Sequence, residues 1–173
     1  MAKVDVSKLI PEDLTKIDRN DFMTFLDTTP NAGSMNLEVL GIGITDYEIS
    51  TNPDVESEKW IIEKNARNIH KSNQKQASAE QTMYKNDPCF EFARAGMDKL
   101  NYKTHIVDVD IWDEVTTGVY NATLSDGILV VTSYGGDEAK LNYDLYYNGD
   151  PIKGTVTFNA STGKAEFTAT TSL

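Results

Sequence analysis

The chain has 173 residues and a formal net charge of −11, with 39% hydrophobic and 25% charged residues. This length and composition fit one globular domain that can bury a core, and the acidic balance disfavours a nucleic-acid reader, which needs a basic surface. No apolar run is long enough for a membrane span. The first residues lack the apolar segment of a secretory signal, so we expect no export.

The charge is uneven along the chain. Residues 1–55 carry 4 basic and 10 acidic side chains, residues 56–85 carry 6 and 4, and residues 86–173 carry 6 and 13. The middle segment is therefore +2 between two acidic ones. The single cysteine, Cys89, cannot form an internal disulfide, and we expect it to be buried as a small hydrophobic residue.

Residues 1–35 are predicted to form an N-terminal arm and a first strand. Pro11 could open one helical turn, because proline suits the first helical position. Residues 22–26 (FMTFL) are strand-like and end before the turn residues 29–31 (TPN). The main domain is then expected to run over residues 36–173.

Residues 36–50 are predicted to form one long, bent strand. The apolar positions change phase around Gly41 and Gly43, which indicates a β-bulge or a sharp bend.

Residues 51–85 are predicted to form a long loop or hairpin that projects from the body. Apart from the apolar cluster at residues 60–62 (WII), the segment is polar, and residues 66–81 are almost wholly so. Such a stretch cannot offset the entropy of ordering by burying apolar surface. We therefore expect it to be either disordered or ordered by a partner.

One helix is predicted over residues 87–100. Asp87 is a good N-cap, and Pro88 suits the first helical position. The apolar positions of its core face are Cys89, Ala93, Met97 and Leu100.

The remainder of the chain alternates like strands of an antiparallel meander. Turns are predicted at residues 125–127 (SDG), 134–137 (YGGD), 148–151 (NGDP) and 159–163, since Asp-Gly and Asn-Gly between alternating runs favour hairpins. The predicted fold class is mainly β: an antiparallel β-sandwich or partial barrel with one flanking helix and a long projecting loop or hairpin.

The sequence offers no catalytic, cofactor-binding or metal-binding constellation, so we expect no enzyme. His70 and His105 are isolated, and His105 is predicted to be a half-buried packing residue. The acidic cluster is predicted to be a solvated sheet face; its members are Asp108, Asp110, Asp113 and Glu114. A tyrosine group, residues 143, 146 and 147, is predicted to serve sheet packing and a subunit contact.

Four segments, in order and spacing, resemble the major tail tube proteins of long-tailed (siphovirus-type) bacteriophages of Gram-positive bacteria. They are residues 52–63 (NPDVESEKWIIE), 84–92 (YKNDPCFEF), 132–137 (TSYGGD) and 148–158 (NGDPIKGTVTF). The resemblance runs from Glu56 to the end of the chain, and residues 1–35 do not contribute to it.

The resemblance implies a structural protein that self-assembles into hexameric rings stacked into a tube, through which the genome passes. It also implies a location in the virion tail, with assembly in the host cytoplasm. The implied partners are other copies of the chain and the tape measure, distal tail and tail terminator proteins. DNA would pass without specific binding, and no membrane or cofactor would be involved.

Two groups of site residues follow as hypotheses. The projecting segment would contact the neighbouring ring through Trp60, Ile61, Ile62, Arg67 and Ile69. Carboxylates would face the channel and let DNA slide, because they offer no phosphate contacts; the candidates are Glu38, Asp46 and Glu48.

Other functions remain open from the sequence. A tail terminator or the inner tube of a contractile tail would share the fold. A carbohydrate-binding or adhesin β-sandwich would need an exposed aromatic platform.

Overall fold

The computed structural model describes residues 14–159 and 161–170, so the predicted turn at Pro11 lies outside the described residues. A short 3-10 helix (Arg19–Asp21) precedes the first strand. The strands are β1 (Phe22–Asp27), β2 (Leu37–Leu40), β3 (Ile44–Ser50), β4 (Pro53–Glu58), β5 (Arg67–Asn73), β6 (Gln76–Thr82), β7 (Tyr102–Thr116), β8 (Val119–Gly135), β9 (Lys140–Phe158) and β10 (Ala165–Ala169), and the helix is α1 (Pro88–Ala95).

The predicted fold class is confirmed: the protein is mainly β, with an antiparallel sheet curled into a six-stranded barrel plus extra strands. The barrel order is β10-β2-β1-β7-β8-β9, and β9 closes it by pairing with β10. The first half of β9 pairs instead with β6, and β6 pairs with β3. Strands β4 and β5 form a separate two-stranded sheet.

Two apolar clusters lie on opposite faces of the strands that they share. The larger one lies under α1, and its members include Leu26, Phe90, Ile106, Leu129, Leu141 and Tyr143. The smaller one fills the barrel, and its members are Phe25, Leu37, Val107, Val109, Ala122, Val156 and Ala165. Ile106 and Val107 are adjacent yet belong to different clusters, because successive side chains of a strand point to opposite faces.

Two of the predicted turns are wrong, because β8 and β9 continue through them. In β8, a Cβ on Gly127 would lie 2.5 Å from the Ile106 side chain, so this glycine permits a close approach within the sheet. In β9, residues 149–151 form a bulge opposite Ser125, with Gly149 at φ +66°. Glycines occur at β-bulges and close strand contacts as well as in turns, so their presence alone did not distinguish these structures. The turn after Gly135 and the one after Asn159 are where the sequence predicted them.

The predicted long strand over residues 36–50 is also two strands. β2 pairs with β1 and β10, whereas β3 pairs with β6. The bend lies at the predicted glycines: Gly43 has φ +75°, and its carbonyl accepts a hydrogen bond from the Thr82 N–H at 2.9 Å.

The helix begins as predicted but is shorter. The Asp87 carboxylate accepts a hydrogen bond from the Cys89 N–H at 3.2 Å, and Pro88 opens the first turn. The helix ends at Ala95, so Met97 and Leu100 lie beyond it and are exposed. No helix in the described part of the chain is long and apolar enough to cross a membrane.

Cys89 is buried in the larger cluster, as predicted. Burial raises the pKa of its thiol to about 12, and the carboxylates of Asp87 and Glu38 add to the effect. The thiol is therefore unreactive at neutral pH.

Residues 76–82 do not project, contrary to the prediction for residues 51–85. They form β6, with Ala77 and Ala79 buried in the larger cluster. The prediction failed because small alanines, alternating with polar residues, give too weak an apolar signal. Gln81 is fully buried and donates to Asp87 Oδ2 at 2.6 Å and to the Ile42 carbonyl at 2.9 Å. Its Oε1 accepts from the Tyr143 hydroxyl at 3.0 Å.

Replacing Gln81→Ala should lower the free energy of unfolding by about 2 to 4 kcal/mol, because the Asp87 carboxylate and the Tyr143 hydroxyl would each lose a buried partner. Chemical denaturation measures this change. The matched control is Ser78→Ala on the exposed face of the same strand, which should change stability by less than about 1 kcal/mol. Equal effects of the two substitutions would contradict the role of Gln81.

Candidate assembly interface

A two-stranded hairpin, β4–β5, stands apart from the main sheet. Its strands pair only with each other within the described residues, and every residue in them is exposed. The base is closed by the Gln74 N–H, which donates to the Thr51 carbonyl at 3.0 Å. An ion pair between Lys71 and Glu56 links the strands. An isolated hairpin of this kind is marginally stable in water, so a contact that covers it would stabilise it.

The hairpin tip gathers most of the predicted stacking residues. A turn closed by the Glu63 N–H to the Trp60 carbonyl, at 3.0 Å, places Ile61 and Ile62 at its two central positions. Trp60, Ile61 and Ile62 are 55%, 103% and 86% exposed. Consecutive large apolar residues so open to water indicate an interaction site.

Arg67 holds the tryptophan in place. Its guanidinium lies 4.3 Å from the centroid of the Trp60 ring, and its Nε donates to Glu63 at 2.7 Å. Ile69, the last predicted stacking residue, lies further down β5 opposite Glu56 and is 40% exposed.

A four-stranded part of the main sheet, β3-β6-β9-β8, presents a polar, acidic face to solvent. Its strand segments are residues 44–50, 76–82, 140–147 and 128–135, and together they carry four carboxylates and one lysine. Two of the predicted channel-facing residues, Asp46 and Glu48, lie on this face. Glu48 is opposite Ser78, and Ser78 is opposite Asp144 and donates to its carboxylate at 2.6 Å.

Glu38 does not join this face. It lies on β2, which pairs with β1 and β10 and not with β3. Its carboxylate accepts hydrogen bonds from the Lys164 ammonium at 3.1 Å and the Asn36 amide at 3.0 Å. The structure thus separates Glu38 from Asp46 and Glu48.

Both edges of the acidic sheet are unpaired in the described residues. On one side, β3 pairs only with β6. On the other, β7 pairs with β8 only as far as Leu129, so residues 130–135 have β9 on one side and no strand on the other. Open strand edges readily pair with another chain.

A slot of about 310 Å³ lies between β1 and β3. Its apolar lining is Phe22, Met23, Tyr47, Ile49 and Val109. At its base, Asp108 accepts hydrogen bonds from the Thr24 hydroxyl at 2.8 Å and the Tyr147 hydroxyl at 3.3 Å. The prediction that Asp108 lies on a solvated face is therefore wrong.

Burial raises the pKa values around the slot. The pKa of Asp108 is raised chiefly by desolvation, although Thr24 and Lys75 oppose the shift. Burial also raises the pKa of Tyr47 to about 12. The side chains hydrogen-bonded to Asp108 are the hydroxyls of Thr24 and Tyr147.

The structure also shows where His105 and the tyrosine group lie. His105 is half-buried, and its Nδ1 lies 2.7 Å from the buried carboxylate of Asp27. Tyr143 and Tyr147 are buried, with their hydroxyls bonded inside the protein, so they form no exposed aromatic platform. In residues 14–159 and 161–170, no three His, Cys, Asp or Glu side chains are grouped to hold a metal ion.

Sequence reasoning missed Glu80 and Asp144, which share the acidic face with Asp46 and Glu48. The exposure of Asp144 could have been predicted, since this residue alternates with the inward-facing Tyr143 and Leu145. The exposure of Glu80 on this face could not, because its strand was assigned to the projecting segment. Comparison with models of known protein families and with curated proteins gives no match.

Replacing Asp108→Asn should stabilise the protein at pH 7 but not at pH 4. The raised pKa means that the folded state binds the Asp108 proton more tightly than the unfolded state does. Wild-type stability therefore falls as the pH rises from the unfolded pKa through the folded one, and asparagine removes this loss while keeping an acceptor oxygen. Urea unfolding at both pH values measures the difference.

The control for this experiment is Asp137→Asn in the exposed turn between β8 and β9, which should change stability little at either pH. A stability difference between Asp108→Asn and wild type that is the same at pH 4 and pH 7 would contradict the assignment.

Proposed function

We propose that this protein is the tube-forming subunit of a bacteriophage tail, which assembles into hexameric rings that stack around a channel for DNA. The observation that carries the proposal is the four-stranded sheet β3-β6-β9-β8, which has an acidic face and, among residues 14–159 and 161–170, two unpaired edges. The resemblance of residues 56–173 to tail tube proteins and the exposed hairpin support it.

The strand directions are compatible with ring closure. The four strands are mutually antiparallel, so β3 and β8 run in opposite directions. When copies are related by rotation about an axis roughly parallel to the strands, β3 of one copy meets residues 130–135 of the next in antiparallel orientation. An even number of strands per copy thus lets one continuous sheet close on itself, which removes the open edges.

The acidic face suits the inner wall of such a ring. Asp46, Glu48, Glu80 and Asp144 would repel phosphates, while Lys140 is already paired with Glu80 at 2.5 Å and Glu138 at 2.7 Å. DNA would then meet no free cation on this sheet that could hold it by releasing counterions. The hairpin, with its apolar tip, is suited to contact the neighbouring ring.

Purified protein, dilute and then concentrated, should show rings with six-fold symmetry or hollow tubes by negative-stain electron microscopy. Hydrogen exchange should then show new protection at the amides of residues 44–50 and 130–135, because edge pairing gives them partners. The loop at residues 161–163 serves as the control and should exchange unchanged. Small particles at every concentration, or assemblies without protection at the two edges, would contradict the proposal.

Reversing charge on the acidic face, with Asp46→Lys and Glu48→Lys together, should leave tube assembly intact but slow DNA ejection by roughly tenfold or more, since each new cation can bind phosphate. Ejection from phage that carry the variant tube measures this. The matched control reverses two carboxylates away from the face, Asp150→Lys and Glu166→Lys, at the same net charge. Normal ejection by the first variant would exclude the acidic face from the channel wall.

A further inference from the structure

The exposed hairpin and an apolar groove lie at opposite ends of the same strand pair. β3 and β6 are antiparallel neighbours, and the hairpin connects the end of β3 at Ser50 to the start of β6 at Gln76. At the far end of β6, residues 83–85 lead into α1 and border the groove. If copies stack along the β3–β6 direction, the hairpin end of one copy therefore faces the groove end of the next.

The groove has a volume of about 710 Å³ and lies between the end of β6 and the exposed side of α1. The residues that line it are Met83, Lys85, Phe90, Glu91, Arg94 and Ala95. Its surface is mainly apolar, with the charged groups of Lys85, Glu91 and Arg94 among the lining side chains. No described segment of the chain fills it.

The hairpin tip matches this groove in chemistry. It offers Trp60, Ile61 and Ile62 as an apolar group, and an aromatic side chain is a favourable anchor at an interface. The tip is also basic: residues 59–67 contain three basic and one acidic side chain, a charge of +2. Because the whole chain carries −11, the remainder carries −11 − 2 = −13. At long range the tip is thus attracted to the acidic body of a second copy. The groove lining itself carries Lys85, Arg94 and Glu91, a charge of +1, so the contact inside the groove is apolar and not ionic.

We propose that the hairpin tip of one copy docks in the groove beside α1 of a copy in the adjacent ring. The strands of the hairpin are exposed along their whole length, so the tip does not fold back on its own body. The occupant is another copy because the tip and the groove lie at opposite ends of the β3–β6 pair, so identical copies stacked in one direction bring one against the other. The contact is heterologous, with tip on groove, so it repeats without closing and builds a stack of rings. The inference rests on the proposed function and adds the receiving surface to it.

Blocking the groove tests the proposal. Ala95 is exposed at the end of α1, so Ala95→Arg places a long charged side chain in the groove and does not disturb the packing of the buried core. This variant should still form rings but need at least tenfold more protein than wild type to form tubes. The control Thr162→Arg adds the same charge at an exposed position outside the groove and should form tubes at the wild-type concentration. Tubes of the Ala95→Arg variant at the wild-type concentration would overturn the proposal.

Disulfide cross-linking identifies the receiving surface directly. Ile62→Cys combined with Ala95→Cys should give a ladder of linked multimers on oxidation, whereas Ile62→Cys combined with Glu48→Cys, at the rim of the slot between β1 and β3, should give none. The buried Cys89 thiol stays out of the reaction, which the wild-type protein checks.

The outcomes separate the two proposals. Tubes without a ladder from the Ala95→Cys pair, or with a ladder only from the Glu48→Cys pair, would overturn the docking site and leave the tube function standing. A ladder from the Ala95→Cys pair without rings or tubes would support the docking contact and refute the tube function.

Discussion

The change of partners along β9 is the constraint on which the rest of the structure depends. Its first half pairs with β6 and its second half with β10, while β8 accompanies it throughout. The bulge at residues 149–151 lies between the two halves, and it inserts two extra residues, so the alternation of side chains along β9 is unchanged across it. Tyr143 and Leu145 fill the core under α1 from one face of the strand, whereas Val156 fills the barrel from the other face. One strand thus holds a closed barrel and an open sheet together.

This division has a direct consequence for function. In the barrel half, β9 has a strand on each side, and the barrel encloses an apolar core of its own. This half is therefore stabilised by contacts within one copy of the chain. In the part of the chain that the structure describes, the other half ends in open edges on β3 and on residues 130–135. Open edges are a liability in a monomer unless assembly covers them. The polar face of that half, and the hairpin that extends from it, are the surfaces on which the proposed assembly rests.

The stabilising interactions of the subunit are mainly local to these two cores, and polar side chains tie them to the connections. Gln81 links β6 to the helix N-cap and to Tyr143. Asp27 performs a similar role at the β1–β2 connection, where it accepts hydrogen bonds from the Thr29 and Asn36 N–H groups at 2.9 and 3.0 Å. Both side chains are buried, and their polar atoms are hydrogen-bonded inside the protein.

The sequence alone determined the mainly β class, the start of α1 at Asp87 and Pro88, the apolar hairpin tip and the burial of Cys89. Helix caps, strand alternation and short apolar clusters are each defined by a few neighbouring residues, so they can be recognised without knowing the fold. Only the tertiary structure decided that residues 76–82 join the sheet, that Glu38 is separated from Asp46 and Glu48, and that the glycines at 127 and 149 serve a close approach and a bulge. These features depend on which strand lies beside which, and strand neighbours are set by packing between residues far apart in the chain, which no local pattern encodes.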